Sequence, residues 1–210
     1  MKIEPEKIVE QELLSLHLPE GYLRMRRFFD LVIVIIISPA ALILGIIVAI
    51  AIRINSPGPA LFIQKRPGKS GSFFYIYKFR TMTQLPRGEE DWKSYKHRIT
   101  RVGSFLRKHR IDELPQLINV LKGEMSLIGP RPEPAEYFIE CTKQIPLYKY
   151  RFMVSPGITG WSQVQFGHTD DIAGAKLKLE YDLYYLHNIS YKLDIRILFS
   201  TILTTLLAKK

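Results

Sequence analysis

The sequence has little cysteine and no histidine arrangement typical of a metal site or a hydrolytic triad. Among its 210 residues, Cys141 is the one cysteine, which excludes an internal disulfide and fits a reducing compartment. The five histidines form no pair at metal-ligand spacing, and no Ser/His/Asp order suggests acyl transfer. Residues 1–23 are polar and acidic and lack the basic start and apolar core of a signal peptide.

Acidic residues are also scarce outside the first 20 positions. The net charge is +10, although residues 1–20 hold five Glu against two Lys, so the remaining 190 residues carry 28 basic and 15 acidic side chains. This imbalance predicts an anionic partner: nucleic acid, a phosphorylated substrate or an acidic lipid surface. The basic residues lack an RNA-binding motif interleaved with aromatics, so nucleic acid is not expected.

One long stretch carries no charge: residues 31–52, LVIVIIISPAALILGIIVAIAI. Its 22 residues would form about 33 Å of helix, enough to cross the core of a bilayer. Pro39 removes a backbone hydrogen bond and clashes with the preceding turn, so a kink or break is expected at Ser38-Pro39. The Ser38 hydroxyl can satisfy a freed carbonyl there.

Basic residues flank this stretch on both sides, which gives a crossing helix no preferred orientation. Both ends are therefore expected on the cytoplasmic side, with a helix that dips into the membrane and returns to the same face. The flanking residues are Arg24, Arg26 and Arg27 before the stretch and Arg53, Lys65 and Arg66 after it.

The region after the apolar stretch predicts a β-hairpin. Residues 60–66 and 73–82 are β-prone, and the turn-forming residues 67–71 join them. Period-two alternation places Lys78 and Arg80 on one face of the second strand together with apolar neighbours. The two cations are either phosphate ligands or solvated side chains, and the local pattern favours neither.

Residues 110–132, RIDELPQLINVLKGEMSLIGPRP, concentrate the features expected of a reaction centre. Asp112 occupies a helix N-cap position before Glu113, and Gly123 is expected to end the helix. A helix N-terminus favours anions, so two carboxylates there call for cations. Arg107, Lys108 and Arg110 precede the pair and Arg131 follows it, and a divalent metal would complete the balance. An ordinary cap and first-turn acid are the simpler interpretation of the two residues alone.

A further carboxylate is expected on a buried face. Residues 171–188 form an amphipathic pattern in which Asp182 falls on the apolar stripe, as part of an ion pair or as a site ligand. Residues 99–109 and 135–143 also read as helices. Residues 193–208 predict an apolar helix that lies on the membrane surface or closes the core.

These segments, in this order, resemble the bacterial sugar transferases, the monotopic polyprenyl-phosphate phosphoglycosyl transferases. The resemblance covers about residues 24–205 and is confined to the minimal catalytic unit of the family. The motifs that carry it are RRFFD (26–30), SP (38–39), QKRPG (64–68), YKFRTM (77–82), DEL (112–114), GPRP (129–132), PGITGW (156–161) and YDLYY (181–185).

The resemblance implies an α+β, mainly helical fold. It would contain a re-entrant membrane helix broken at Ser38-Pro39, a small β-hairpin and interfacial helices. The expected organisation is a polar lead (1–23), the membrane helix (24–54) and a catalytic domain (55–210) on the cytoplasmic face of the bacterial inner membrane. The implied partners are a UDP-sugar, polyprenyl (undecaprenyl) phosphate, the lipid bilayer and downstream glycosyltransferases.

The resemblance also implies residue roles. Asp112 would attack the β-phosphate of the UDP-sugar, form a covalent phosphosugar and release UMP, with Glu113 assisting. Mg²⁺ would be held by Asp112, Glu113 and Asp182. The expected phosphate-binding residues are Arg131, Arg66, Lys78, Arg80 and Arg110.

One segment departs from the family pattern. Many relatives continue after Gln-Val with Asn-Gly-Arg, whereas here Gln163-Val164 is followed by Gln165-Phe166-Gly167. The resemblance implies that a phosphate or nucleotide contact is missing here, so that either His168 or another cation replaces it or the sugar preference differs.

Two other functions are compatible with the residues. One is a membrane-anchored, metal-dependent glycosyltransferase, which would release UDP rather than UMP. The other is a basic membrane adaptor without enzyme activity, which would bind anions in a salt-sensitive way.

Overall fold

The computed structural model of the protein describes residues 13, 15, 16, 18–84, 95–167 and 171–206. Most of the predicted polar lead lies outside these residues. The described chain is mainly helical with small β-elements, which confirms the predicted fold class. In chain order the helices and strands are α1 (Glu20–Asn55), β1 (Leu61–Pro67), β2 (Phe73–Phe79), α2 (Arg101–Lys108), α3 (Leu117–Lys122), β3 (Ser126–Ile128), α4 (Ala135–Gln144), β4 (Gly157–Thr159), α5 (Trp161–Gln165), α6 (Ile172–His187) and α7 (Tyr191–Leu206).

Helix α1 is continuous and contains Pro39 in its interior. The predicted break at Ser38-Pro39 is therefore wrong at the level of secondary structure, whereas the kink, the other expectation there, stays a prediction. Proline removes one hydrogen bond from a helix of ten turns, and the Ser38 hydroxyl donates to the carbonyl oxygen of Val34 at 2.5 Å. By length and composition, α1 is the one helix of the described residues that could cross a membrane.

One stripe of α1 packs against the rest of the protein along most of the helix. The stripe follows the helical repeat of about 3.6 residues. Its buried members are Arg26, Asp30, Val34, Val48 and Ile52. The opposite face exposes large apolar side chains; Ile36 is 70% exposed and Leu42 is 67% exposed. This pattern suits a helix that contacts protein on one side and lipid on the other.

Strand β2 contacts both halves of α1. Val34 lies in a cluster with Phe74 near the start of the strand. Val48 and Ile52 lie in a second cluster with Phe79 at the end of the strand. Because each half of the helix shares an apolar cluster with one end of this strand, both halves of α1 pack against the same domain.

Polar contacts fix the first turns of α1. Nη2 of Arg26 donates to the hydroxyl of Ser126 at 2.7 Å, and Nη1 donates to the hydroxyl of Tyr185 at 2.8 Å. Asp30 accepts from the hydroxyl of Ser126 at 2.7 Å and from the amide of Leu127 at 3.3 Å. The RRFFD segment thus attaches α1 to strand β3 and helix α6.

The predicted hairpin is confirmed: β1 and β2 pair antiparallel, with Phe62 opposite Lys78. A second pair of strands, β3 and β4, is parallel, and their backbones approach each other closely. A Cβ on Gly157 would lie 2.1 Å from the amide nitrogen of Gly129, so glycine is required there. This contact fixes the start of the turn that carries Arg131.

Helix α7 closes the core, as one of the two alternatives predicted, while its position on a membrane surface stays a prediction. Its inner face closes the core through Asp194 and Ile197, which are buried. Its outer face exposes an apolar stripe with helical spacing. The exposed residues are Tyr191, Ile195, Phe199, Ile202 and Leu203.

Candidate active site

Glu113 is held between two cations. Nζ of Lys78 donates to its Oε1 at 3.1 Å, and Nη2 of Arg131 donates to the same oxygen at 2.9 Å. Burial would raise the pKa of Glu113, but Arg131 and Lys78 together hold it well below its usual range. Glu113 is therefore an ionised carboxylate whose charge keeps two cations in place.

Asp112 is in a different electrostatic state from its neighbour. Its carboxylate makes no hydrogen bond or ion pair with any residue that the structure describes, although the side chain is half-buried. Burial raises the pKa of Asp112, and the negative charge of Glu113 raises it further, against the opposing effect of Lys78, Arg107 and Arg131. An unpaired carboxylate beside cations is available for chemistry.

The backbone around this pair differs from the prediction. Residues Ile111–Gln116 form a 3₁₀ helix, and α3 starts only at Leu117, so Asp112 is not the N-cap of an α-helix. Arg110, in the left-handed conformation with φ 54°, precedes the turn. Pro115 lies inside the 3₁₀ segment, where its fixed φ is compatible with the tight turn. The predicted end at Gly123 is confirmed, with φ 83°.

The hairpin supplies one of the cations from its inward face. Phe74, Ile76 and Lys78 occupy every second position of β2 and so share one face, and the first two are buried in the core. Lys78 therefore points the same way and reaches Glu113. Burial, and then the charge of Arg131, lower the pKa of Lys78, while Glu113 opposes this effect.

Arg131 is placed by the rigid turn and by a second carboxylate. The attraction of Glu113 raises the pKa of Arg131, and Glu133 adds to it. Glu133 is itself buried and accepts from Nζ of Lys178 at 3.1 Å. Arg131 uses Nη2 for Glu113, while its Nε and Nη1 make no hydrogen bond to the described residues. Two donors are thus left to contact a phosphate.

Arg66 stabilises the GPRP turn, and two of its three guanidinium nitrogens are already used in hydrogen bonds within the protein. Its Nη1 donates to the carbonyl oxygen of Pro132 at 2.9 Å, and its Nη2 donates to Gln64 at 2.6 Å. Burial, followed by the charge of Arg131, lowers the pKa of Arg66 to about 10. Its Nε is buried without a partner in the described chain.

The structure gives Arg80 a role other than the predicted one, whereas phosphate binding by Arg110 stays a prediction. The guanidinium of Arg80 is buried and donates to the carbonyl oxygen and hydroxyl of Ser56 at 2.7 and 3.0 Å, which fixes the exit of α1. Its assignment as a phosphate ligand is corrected to a structural anchor. Arg110 is exposed and has no hydrogen bond from its side chain to the described residues.

Two further residues lie near the site: Glu133 was missed by the sequence reasoning, and Arg107 was named there only as one of the cations before Asp112. Arg107 donates from Nε to the hydroxyl of Thr81 at 2.8 Å, and its charge acts on Asp112. Glu133 directly follows the GPRP motif, and this adjacency is the signal that could have identified it. For Arg107, its position five residues before Asp112 was a weaker signal, because Arg110 lies closer in sequence.

Asp182 belongs to a separate, closed ion pair. Its Oδ2 lies 2.8 Å from Nε and 2.5 Å from Nη2 of Arg151, and both side chains are buried. Although burial opposes the charge, Asp182 raises the pKa of Arg151. The described residues contain no group of three His, Cys, Asp or Glu side chains placed to hold a metal ion. The expected metal set of Asp112, Glu113 and Asp182 is therefore not assembled, because Arg151 already neutralises Asp182.

Magnesium remains compatible with the first two members of that set. Mg²⁺ in proteins is usually bound through one or two carboxylates together with substrate phosphates. Asp112 has both oxygens free of partners in the described chain, and the hydrogen bonds of Glu113 use Oε1 alone. The donor atoms present fit a magnesium ion that takes its other ligands from a bound diphosphate and water.

The segment that departs from the family pattern lies beside an aromatic surface. Trp161 stacks on Tyr184 with ring centroids 6.0 Å apart, and Phe166 stacks on Tyr181 at 6.4 Å. His168, considered as a substitute for the missing arginine, lies outside the described residues.

Comparison with known proteins identifies the family. The family model described as "Bacterial sugar transferase" matches residues 21–208. The chain belongs to the bacterial sugar transferase family. The match covers the apolar helix, the hairpin and the Asp112–Glu113 turn, so it supports the resemblance inferred from the motifs.

Three relatives of this bacterial sugar transferase have informative names. A UDP-N-acetylgalactosamine-undecaprenyl-phosphate N-acetylgalactosaminephosphotransferase of Aeromonas hydrophila is 42% identical over 98% of this chain and 49% of its own length. A UDP-glucose:undecaprenyl-phosphate glucose-1-phosphate transferase of Xanthomonas campestris pv. campestris is 44% identical over 73% of this chain and 33% of its own. "Uncharacterized sugar transferase EpsL" of Bacillus subtilis is 38% identical over 88% and 89%. The chain thus spans half or less of the first two relatives.

Proposed function

We propose that this protein is a phosphoglycosyl transferase that moves a sugar 1-phosphate from a UDP-sugar to polyprenyl (undecaprenyl) phosphate and releases UMP. The proposal draws its substrate classes from the names of relatives that share 42% and 44% identity with this chain. The sugar is left open, because those two relatives are named for different sugars. The product would be a lipid-linked sugar phosphate, a substrate for later glycosyltransferases in polysaccharide synthesis.

The observation that carries the proposal is the contrast within the Asp112–Glu113 pair. Glu113 holds Lys78 and Arg131 close together, and Asp112 stays unpaired beside them. An anionic diphosphate entering this site would meet two cations with free donors and one carboxylate free to react. Lys78 and Arg131 reduce the repulsion between the carboxylate and the phosphate, and they stabilise charge on the leaving group.

In the first step an oxygen of Asp112 attacks the β-phosphorus of the UDP-sugar. A bond forms between this oxygen and phosphorus, and the bond from phosphorus to the bridging oxygen breaks. UMP leaves with the electron pair of that bond, and the sugar phosphate remains bound to Asp112 as an acyl phosphate. Arg131, through Nε and Nη1, would contact the phosphate oxygens as they gain charge.

In the second step a phosphate oxygen of the polyprenyl phosphate attacks the same phosphorus. The bond between phosphorus and Asp112 breaks, the carboxylate is regenerated, and a lipid diphosphate sugar is formed. Mg²⁺, held by Asp112 and Glu113 together with substrate oxygens, would supply charge neutralisation at the diphosphate. Glu113 keeps Lys78 and Arg131 in position during both steps.

The location proposed for this chemistry is the cytoplasmic face of the bacterial inner membrane. Both halves of α1 pack in apolar clusters of the same domain, and this supports a helix whose two ends stay on one side of the bilayer. The apolar outer faces of α1 and α7 would contact lipid. Attachment of this kind would bring the acceptor phosphate to the surface that carries Asp112.

Intact-mass analysis of the full chain in detergent tests the covalent step. Incubation with a UDP-sugar and Mg²⁺, without acceptor, is expected to add the mass of one sugar phosphate, and peptide mapping should locate it on Asp112. The Asp112→Asn variant is the matched control and should stay unmodified. A wild-type protein that turns over but never carries the adduct would falsify the covalent step.

The identity of the released nucleotide separates the main alternative. A phosphoglycosyl transferase releases UMP, whereas a transferase of the bare sugar releases UDP. A panel of UDP-sugars, assayed by chromatography for both nucleotides with polyprenyl phosphate present, should yield UMP with one or a few donors. Release of UDP alone would assign the protein to the other reaction class.

A further inference from the structure

A cavity of about 340 Å³ lies at the first turns of α1, and its lining includes no Asp112, Glu113, Lys78 or Arg131. Helix α1, the hairpin turn and the segments around Met125 and Ser155 form its walls. The lining contains four basic side chains against one acidic side chain. A concave surface with this balance favours an anionic ligand.

Most of the polar groups in the lining are already paired. Arg26 and Asp30 share the hydroxyl of Ser126, with distances of 2.7 Å on each side. Arg27 donates to the carbonyl oxygen of Leu121 at 3.0 Å, near the end of α3. These residues build the cavity wall and leave little capacity for a ligand.

Three polar groups in the lining make no side-chain hydrogen bond or ion pair with the described residues: the guanidinium of Arg24, the ammonium of Lys69 and the hydroxyl of Ser155. They come from three separate parts of the chain, and Arg24 and Lys69 are exposed. Two cations and a hydroxyl that converge on one cavity are donors suited to a phosphate.

The hairpin turn presents Lys69 on a fixed backbone. The amide of Gly68 donates to the carbonyl oxygen of Ser72 at 2.7 Å. The amide and the hydroxyl of Ser72 both donate to the carbonyl oxygen of Lys69, at 3.2 and 2.7 Å. A rigid backbone lowers the entropy lost when the lysine binds a ligand.

The remaining lining is apolar, and the cavity opens where the apolar helix begins. Leu23, Met125 and Val154 contribute apolar surface. Phe28 and Phe29, on the next turn of α1, are 58% and 48% exposed. Aromatic and basic residues at the start of a membrane helix are typical of the headgroup level. A ligand here would have a phosphate beside a hydrocarbon region.

We infer that this cavity binds the phosphate of a membrane phospholipid headgroup through Arg24, Lys69 and Ser155. The inference rests on the membrane attachment within the proposed function, and it does not depend on the transfer reaction. The bound headgroup would connect the hairpin tip to the first turn of α1 and would set the depth at which the protein lies in the membrane.

The test measures binding of dihexanoyl phosphatidylglycerol, below its micelle concentration, to the purified full chain in detergent. The double variant Arg24→Gln/Lys69→Gln should weaken binding by about tenfold or more. The matched control Arg101→Gln/Lys176→Gln removes the same charge from exposed positions outside the cavity and should change binding by less than about twofold.

A second variant avoids the change of charge. Ser155→Ala should weaken binding by about two- to tenfold, the effect of one lost hydrogen bond. Thermal unfolding of each variant verifies that it is folded. An equal loss in both double variants would show diffuse attraction and overturn the inference.

Two competitors identify the source of the phosphate. Inorganic phosphate should displace the phospholipid only at much higher concentration, and displacement at equal concentration would overturn a lipid site. A short polyprenyl phosphate that displaces it preferentially would assign the cavity to the acceptor and also overturn the inference. The Arg24→Gln/Lys69→Gln variant should still form the Asp112 adduct with donor alone. If the wild-type protein never forms the adduct, the proposed reaction is wrong, but the lipid-binding result is unaffected.

Discussion

The two aspartates that the sequence marked as site residues, Asp112 and Asp182, occupy opposite environments. Asp182 is closed in an ion pair with Arg151, and both side chains are buried. Asp112 is half-buried and lacks a partner in the described chain, because Glu113 takes Lys78 and Arg131. A carboxylate already neutralised by the protein stabilises the fold, whereas an unneutralised one beside cations is suited to react with a bound anion. Pairing, rather than the presence of an acid, separates the two roles.

Exchanging the carboxylate of Asp112 for an amide should have the largest effect on activity. Asp112→Asn is expected to lower UMP release by at least about a thousandfold, because it removes the attacking oxygen. Thermal unfolding should change little, since no described partner is lost. The measurement is a nucleotide-release assay on membrane-bound protein; turnover close to wild type would remove Asp112 as the nucleophile.

The same exchange at Asp182 should act on stability instead. Asp182→Asn leaves Arg151 buried without its counter-charge, and the expected loss is about 3–5 kcal/mol in the free energy of unfolding. Thermal or denaturant unfolding in detergent measures it. Replacing both partners with apolar residues, Arg151→Met with Asp182→Leu, should recover much of the loss. A stable single variant with abolished turnover would instead give Asp182 a direct role in the site.

Arg131 and Arg80 allow the same comparison, between a residue of the site and a structural residue, to be made for cations. Arg131→Gln should lower turnover by about a hundredfold, because donors aimed at developing phosphate charge are lost. Arg80→Gln, the control, should lower thermal stability and leave turnover per folded molecule unchanged, since Arg80 donates to Ser56. Equal losses of turnover in the two variants would mean that both arginines contact substrate.

The smallest expected effect is a shift of the pH profile. The pKa of Asp112 is raised by burial and by Glu113, and the protonated form does not attack, so the transfer rate should fall as the pH is lowered through that pKa. Glu113→Gln removes the negative charge and should move this acid limb to lower pH. Glu136→Gln, at an exposed position, should leave it in place. A limb that moves to higher pH in Glu113→Gln contradicts this assignment.

Local patterns in the sequence were enough for the mainly helical fold, the hairpin and the expectation that Arg131 lies near the Asp112–Glu113 pair, whereas the site role of Lys78 came from the family resemblance. Helical periodicity and strand alternation depend on neighbouring residues, which the sequence shows directly. The partner of Asp182 could not be found in this way, because Arg151 lies 31 positions away and reaches it only in the fold. Arg80 was misassigned for the same reason: its contact with Ser56 forms only when the end of α1 packs beside β2.

Continuity of α1 through Pro39 was not predictable from the local pattern either. The rule that proline interrupts a helix describes the cost of one lost hydrogen bond and a steric clash. Packing of Val34 on one side and of Val48 and Ile52 on the other holds both halves against β2. Tertiary contact thus outweighs the local preference.

The long contact between α1 and the folded domain has a consequence for the lipid around the protein. A free membrane helix adapts to a thicker or thinner bilayer by changing its tilt, at a cost of fractions of a kcal/mol per Å. A helix seated along a folded domain from Arg26 to Ile52 cannot pivot independently of that domain. Any mismatch in thickness must then be absorbed by the lipids, which would thin or curve beside the protein.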